Sequence, residues 1–347
     1  MTRALRLGTR RSALATTQSS WVADALRRNG SEVDLVEVTT HGDVNHAPLA
    51  QIGGTGVFVS ALRDALLAGE VDLAVHSLKD LPTAPAGGLA LAAVPEREDA
   101  RDALVASAGR TLAQLPAGAR VGTGSPRRQA LLTALRPDLR VVAIRGNIDT
   151  RLGFVASGEL DAVVLAAAGL ARIGRADEVT EFFAPGTFVP APGQGALAVE
   201  CRAHDDEVRA VLARIDVPAV RRAVAAERQV LASLEAGCSA PVGAYADGDV
   251  LHVAVQDAAG ALVRRTRSFA TVADEPSART LGADVARDLL THELPGSSDS
   301  GRRPESPPAS RPGAPAAARS DGPQVSSENH PQDRPDDGPR PDPESGS

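Results

Sequence analysis

The chain has 347 residues, 43 % hydrophobic and 23 % charged, long enough for two or three globular domains with real cores. Only 2 % are aromatic and the net charge is −7, which argues against base-stacking platforms and against a phosphate-backbone binder. Two cysteines, no signal-peptide-like N-terminus and no apolar run near the ~20 residues of a membrane helix predict a soluble, cytoplasmic protein without a disulfide framework.

Strand-like and helix-like segments alternate along most of the chain. Leu5-Arg6-Leu7 reads as a strand leading into a helix over 12–28, with Ser12 as N-cap and Gly30 just past its end. Strands follow at 33–38 and 71–75, separated by a helix over 58–67. Between them the Gly-rich stretch 42–56 reads as a mobile loop beside a cleft, a possible lid. Later come a short strand at 120–121, a helix over 127–135, a strand at 141–144, a helix over 148–157 and a strand at 162–165. That order predicts α/β lobes with mainly parallel sheets.

The C-terminal part differs. A helix over 219–234, strands near 251–256 and 262–269, and a helix over 277–290 predict a smaller α+β domain. Residues 296–347 hold 11 of the 25 prolines and almost no large apolar residue, so they read as a disordered tail.

Two segments echo each other. Leu7-Gly8-Thr9-Arg10-Arg11-Ser12 resembles Val121-Gly122-Thr123-Gly124-Ser125-Pro126-Arg127-Arg128: a strand end, a Gly-Thr turn, a serine and paired arginines entering a helix. Both turns offer backbone N–H groups and guanidiniums at helix N-termini, which is anion-binding geometry. Arg145, Arg151 and Arg172 also fall at or just after predicted strand ends, the rim where open α/β sheets bind ligands. Any one of these arginines could be plain surface charge. As a set they point to a ligand with several carboxylates, which guanidinium forks grip bidentately.

Lys79 is the only lysine; the other 36 basic side chains of the Lys+Arg count are arginine. It sits beside Asp80, where a buried strand opens into a loop. Asp80 is the best acid–base candidate, its plainer alternative being a helix cap. His76 reads as a hydrogen-bonded core histidine and Cys201 as a packed thiol. Cys238, in the turn Glu235-Ala236-Gly237-Cys238-Ser239, has small neighbours and an accessible position that suits a nucleophile. No Cys or His cluster has metal-ligand spacing, and no Ser-His-Asp order stands out.

Taken together, these residues resemble the hydroxymethylbilane synthase (porphobilinogen deaminase) family from Leu5 to about Leu294. The marks are Gly8-Thr9-Arg10, Val75-His76-Ser77-Leu78-Lys79-Asp80-Leu81-Pro82, Arg97-Glu98-Asp99, Arg127-Arg128, Arg145-Gly146-Asn147, Ala191-Pro192-Gly193-Gln194-Gly195-Ala196 and Glu235-Ala236-Gly237-Cys238. The resemblance implies an α/β fold of two periplasmic-binding-protein-like lobes around a cleft, plus a small α+β C-terminal domain. The lobes would be 1–96 with 194–216, and 97–193; the third domain would be 217–295.

It further implies that Cys238 carries a dipyrromethane cofactor through a thioether and that Asp80 is the catalytic carboxylate. Ser77, Lys79, Thr123, Ser125, Arg127, Arg128, Arg145 and Gly146 would hold the cofactor. Arg10, Ser12, Arg145, Arg151 and Arg172 would hold the substrate, porphobilinogen. The implied reaction joins four such molecules head to tail through an azafulvene electrophile, with ammonia lost at each step, in a monomer needing neither metal, nucleic acid nor membrane. Three positions depart from the pattern: Gln51 and Thr55 stand where many members carry loop lysines, and Gly124 where a serine is common. A non-catalytic carboxylate-binding protein of the same architecture, or a paralogue that has lost turnover, are the competing readings.

Overall fold

Alternation in Leu5-Arg6-Leu7 sends both leucines into one core and builds strand β1 (Leu5–Thr9). The structure, a computed structural model, describes residues 3–38, 56–237 and 240–292. Ser12 caps helix α1 (Ala13–Arg28) by accepting the Ala15 N–H at 3.3 Å, and Gly30 follows its end at φ +83°. The expected loop, as far as Thr55 and including Gln51, lies outside the described residues, as do Cys238 and the tail 296–347.

Five strands make the first sheet, in the order β2-β1-β3-β10-β4. Here β2 is Val33–Glu37, β3 is Leu73–Ser77, β4 is Leu89–Ala93 and β10 is Leu197–Arg202. Helix α2 (Gly56–Leu67) runs between β2 and β3. The second sheet has the order β7-β6-β8-β5-β9, with β5 at Asp102–Ala106, β6 at Arg120–Gly122, β7 at Arg140–Val142, β8 at Ala162–Ala166 and β9 at Glu181–Phe182. Helices α3 (Pro126–Leu135), α4 (Ile148–Ala156) and α5 (Ala167–Arg172) connect its strands.

The two orders are the same pattern. In each, a central strand (β1 or β6) has a parallel neighbour on both sides, and the next strand (β10 or β5) runs antiparallel. The internal echo thus corresponds to equivalent strand–turn–helix units in two sheets. Expected parallel sheets are in fact mixed, for a topological reason. Strands β5 and β10 are where the chain has just arrived from the other lobe, and each enters against the direction of its neighbour.

The third layer is an antiparallel meander of β11 (Val242–Asp247), β12 (Val250–Gln256) and β13 (Leu262–Ser268). It is covered by the packed pair α7 (Pro218–Ser233) and α8 (Glu275–His292), with α6 (Asp206–Leu212) preceding them. This layer touches both lobes. Ala254 and Tyr245 join the core of the second lobe, while Val224 packs with Leu78, Leu81 and Val94 of the first.

Candidate active site

Because β1 and β3 are parallel, the residues that follow them emerge on one edge of the first sheet. Ser12 and Arg10 follow β1. After β3 comes a single 3-10 turn, Leu78–Asp80, anchored by Leu78, which is fully buried. Lys79 is left half-buried and Asp80 exposed. Ser77, at the end of β3, exchanges hydrogen bonds with Gln18 of α1 at 2.9 and 3.3 Å.

The second sheet offers the equivalent edge. Thr123 is buried beyond β6, its Oγ1 accepting the Ser125 N–H at 3.2 Å. Ser125 caps α3, accepting the Arg128 N–H at 3.4 Å. Arg127 and Arg128 then turn inward instead of facing water, being 4 % and 5 % exposed. Their common partner is Asp102, the first residue of β5, which is completely buried. Arg127 Nη1 donates to its Oδ2 at 2.7 Å, Arg128 Nε donates to Oδ1 at 2.9 Å, and Gln194 Nε2 donates to Oδ1 at 3.0 Å. Burial alone would raise the Asp102 carboxyl, but the two guanidiniums outweigh it and hold the group at about 2.

One carboxylate does not neutralise two guanidiniums, and a third cation lies nearby. Desolvation pushes the Lys79 ammonium down to about 8; Arg128 and Arg127 push the same way, against Asp80 and Asp102. Arg128 is itself lowered, first by burial, although Asp102 and Asp80 oppose the shift. Lys79 of the first sheet's edge is thus within electrostatic reach of Arg127 and Arg128 at the second, and Asp80 within reach of Arg128. Arg151 joins the group more distantly: burial lowers it and Arg128 adds to the effect. Its Nε donates to Gly146 O at 2.9 Å. Gly146 holds φ +112°, a conformation that, with Arg145, leaves both residues exposed at the rim beyond β7.

Arg172 is placed otherwise. Its Nη2 donates to Gly195 O at 2.7 Å, and burial lowers it against the field of Glu98, so it sits where the chain passes between lobes. His76 lies 3.2 Å from Glu200, which also takes Arg63 through both oxygens; Cys201 is buried, its thiol pushed up to about 11 by burial and then by Asp205. Among the described residues no group of His, Cys, Asp and Glu could hold a metal ion.

Three charged residues with long-range partners escaped sequence reasoning: Asp102, Glu227 and Arg228. Glu227 is buried and accepts from Arg97 at 2.7 and 3.0 Å, from Gly193 N at 2.8 Å and from Ala246 N at 3.0 Å. A signal existed for two of them. Asp102 opens an otherwise apolar run, and Glu227 sits in the apolar stripe of Val224, Val230 and Leu231 on α7. An acid in such a place requires a partner.

Two sheets of like order, each with a serine-capped helix after its central strand, define a two-lobed α/β protein. Residues 5–210 match the family described as porphobilinogen deaminase, dipyromethane cofactor binding domain, and residues 221–291 match its C-terminal domain. The chain is 64 % identical over 250 residues to porphobilinogen deaminase 1 of Streptomyces coelicolor, covering 71 % of this chain and 78 % of that one. It is 59 % identical over 297 residues to porphobilinogen deaminase of Thermobifida fusca, covering 82 % and 92 %. For porphobilinogen deaminase of Cutibacterium acnes the values are 53 % over 315 residues, 83 % and 94 %. The chain belongs to the porphobilinogen deaminase family, whose members are transferases with a dipyrromethane cofactor.

The residues present fit that cofactor. The net positive floor formed by Arg127, Arg128 and Lys79 against Asp102 suits a ligand rich in carboxylates. Arg127 Nε is buried with no protein acceptor, a donor left for such a ligand.

Proposed function

We propose that this chain joins four porphobilinogen molecules head to tail, with one ammonia released at each addition, and then releases hydroxymethylbilane by hydrolysis for tetrapyrrole and haem synthesis. Cys238 carries the primer through a thioether. The observation that carries this reading is the buried pair Arg127 and Arg128 on the single carboxylate of Asp102, with Lys79 within their electrostatic reach and the exposed Asp80 next to Lys79. When bound, the dipyrromethane supplies the free pyrrole α-carbon from which the chain grows.

Arg127, Arg128 and Lys79 bind acetate and propionate groups in the floor of the cleft. Thr123 and Ser125 add hydroxyls, and Gly146 lets the backbone approach closely. Arg10, Ser12, Arg145 and Arg151 take the carboxylates of the incoming molecule at the rim, with Arg172 beside them where the lobes join. Asp80 accepts pyrrole N–H groups and offsets the positive charge that develops as the C–N bond breaks and ammonia leaves. Its oxygens then take the proton given up when the new C–C bond forms.

We divide the chain into lobes 1–96 with 194–216 and 97–193, a third domain 217–295, and a tail. We place it in the cytoplasm as a monomer acting on small molecules, without nucleic-acid or membrane partners; among the described residues no helix is long and apolar enough to cross a membrane. The intact mass of the purified protein, beside Cys238→Ala, tests the function. An excess equal to two linked pyrrole units, absent from the variant, is expected. A bare mass that stays bare after incubation with porphobilinogen would overturn the reading.

A further inference from the structure

Arg228 stands on α7, in the third layer, and donates to three backbone carbonyls of the first lobe. Its Nη1 reaches Leu78 O at 3.2 Å and Leu81 O at 2.8 Å, and its Nη2 reaches Pro82 O at 2.7 Å. These carbonyls bracket Lys79 and Asp80 on both sides. The turn between them is weak by itself: three residues, closed by one bond from Leu81 N to Leu78 O at 3.2 Å. Among the described residues no backbone N–H reaches the carbonyl of Leu81 or of Pro82. Asp80 is exposed, so packing around its own side chain does not fix it; the backbone beneath it must.

We propose that Arg228 is a positioning residue for the reaction: it fixes the backbone that carries Lys79 and Asp80. A planar guanidinium fork suits carbonyls that diverge from one turn, whereas an ammonium offers a single flexible point charge. The preceding residue on α7, Glu227, holds both passages of chain between the lobes through Arg97 and Gly193. One turn of α7 therefore sets the hinge and the catalytic turn together. A catalytic group displaced by about 1 Å can lose roughly 100-fold in rate while binding is kept. The proposal rests on the reading of Asp80 as the acid–base group.

The test compares Arg228→Gln, Arg228→Lys and Asp80→Ala by intact mass, melting temperature, KM and kcat. Arg228→Gln is expected to keep the cofactor mass and a near-normal KM while kcat falls roughly 100-fold. Arg228→Lys should recover part of that loss, and adding Asp80→Ala to Arg228→Gln should cost little beyond Asp80→Ala alone. Full kcat in Arg228→Gln, a loss confined to KM, or a protein bare of cofactor overturns the proposal. If Arg228→Gln does not fold, Arg228→Lys decides: normal kcat overturns the role, and a lower kcat at unchanged KM supports it. Full kcat in Asp80→Ala withdraws the Asp80 reading itself; an impaired Asp80→Ala beside fully active Arg228 variants withdraws only the role of Arg228.

Discussion

Glu227 grips Arg97 with both carboxylate oxygens, at 2.7 and 3.0 Å, from a position with no exposed surface. Arg97 lies on the outgoing passage between the lobes; Gly193, which donates to the same carboxylate, lies on the returning one. Removing one partner of a buried ion pair leaves an uncompensated charge. Glu227→Ala is therefore expected to lose about 3–5 kcal/mol of unfolding free energy, read from a denaturant midpoint. A loss below about 1 kcal/mol, the range of an exposed pair, would contradict the hinge role.

Asp80→Ala should fold normally, since Asp80 is exposed and makes no packing contact in any core cluster. Chain growth should fall by roughly 100- to 10,000-fold, the range of a lost acid–base group. Steady-state formation of bilane measures it.

Arg128→Leu removes one of the two guanidiniums that Asp102 holds, and the one whose charge acts most on Lys79. The purified variant should carry no cofactor. A mass with the two pyrrole units still attached would show that Arg127 and Lys79 suffice.

Lys79 gives a pH signature. Folding lowers its pKa from 10.5 to about 8, so between those values the unfolded chain binds the extra proton. The cofactor-free protein should gain stability as pH rises through that window, and have the full cost of the buried charge below it. Loading of the cofactor-free protein with porphobilinogen needs the charge, so its rate should fall as pH rises past 8. Lys79→Arg should flatten that fall; an unchanged profile would remove Lys79 from the cradle.

Gly124→Ser adds a side chain in the turn between Thr123 and the cap Ser125. Here a Cβ at 124 would lie 2.5 Å from Ile144 O, backbone that cannot swing aside as a side chain can. The rim carrying Arg145 and Gly146 must shift, at about 1–3 kcal/mol. A lower melting temperature and weaker substrate binding are expected.

How much of this could be read from residue order depends on distance along the chain. The serine caps at 12 and 125 are local signals, and both helices begin there. Strand β3, expected at 71–75, lies at Leu73–Ser77, because pairing with β10 extends it to the very edge of the Leu78–Asp80 turn. Strands β4 and β5 escaped, being short runs without polar alternation whose partners lie far off in sequence. Asp80 and the arginine set were legible as chemistry. Asp102, Glu227 and Arg228 were not, since each pairs with a segment 25 to 150 residues away.

The placement of β10 between β3 and β4 has a consequence for biosynthesis. The first sheet cannot close until its last strand has left the ribosome, long after β1 to β4. The second sheet, contiguous from Asp102 to Phe182, has all its strands before then. During translation the N-terminal lobe waits with the facing edges of β3 and β4 unpaired, the kind of edge that recruits foreign strands. Chaperone demand for this protein should therefore centre on the lobe made first and finished last.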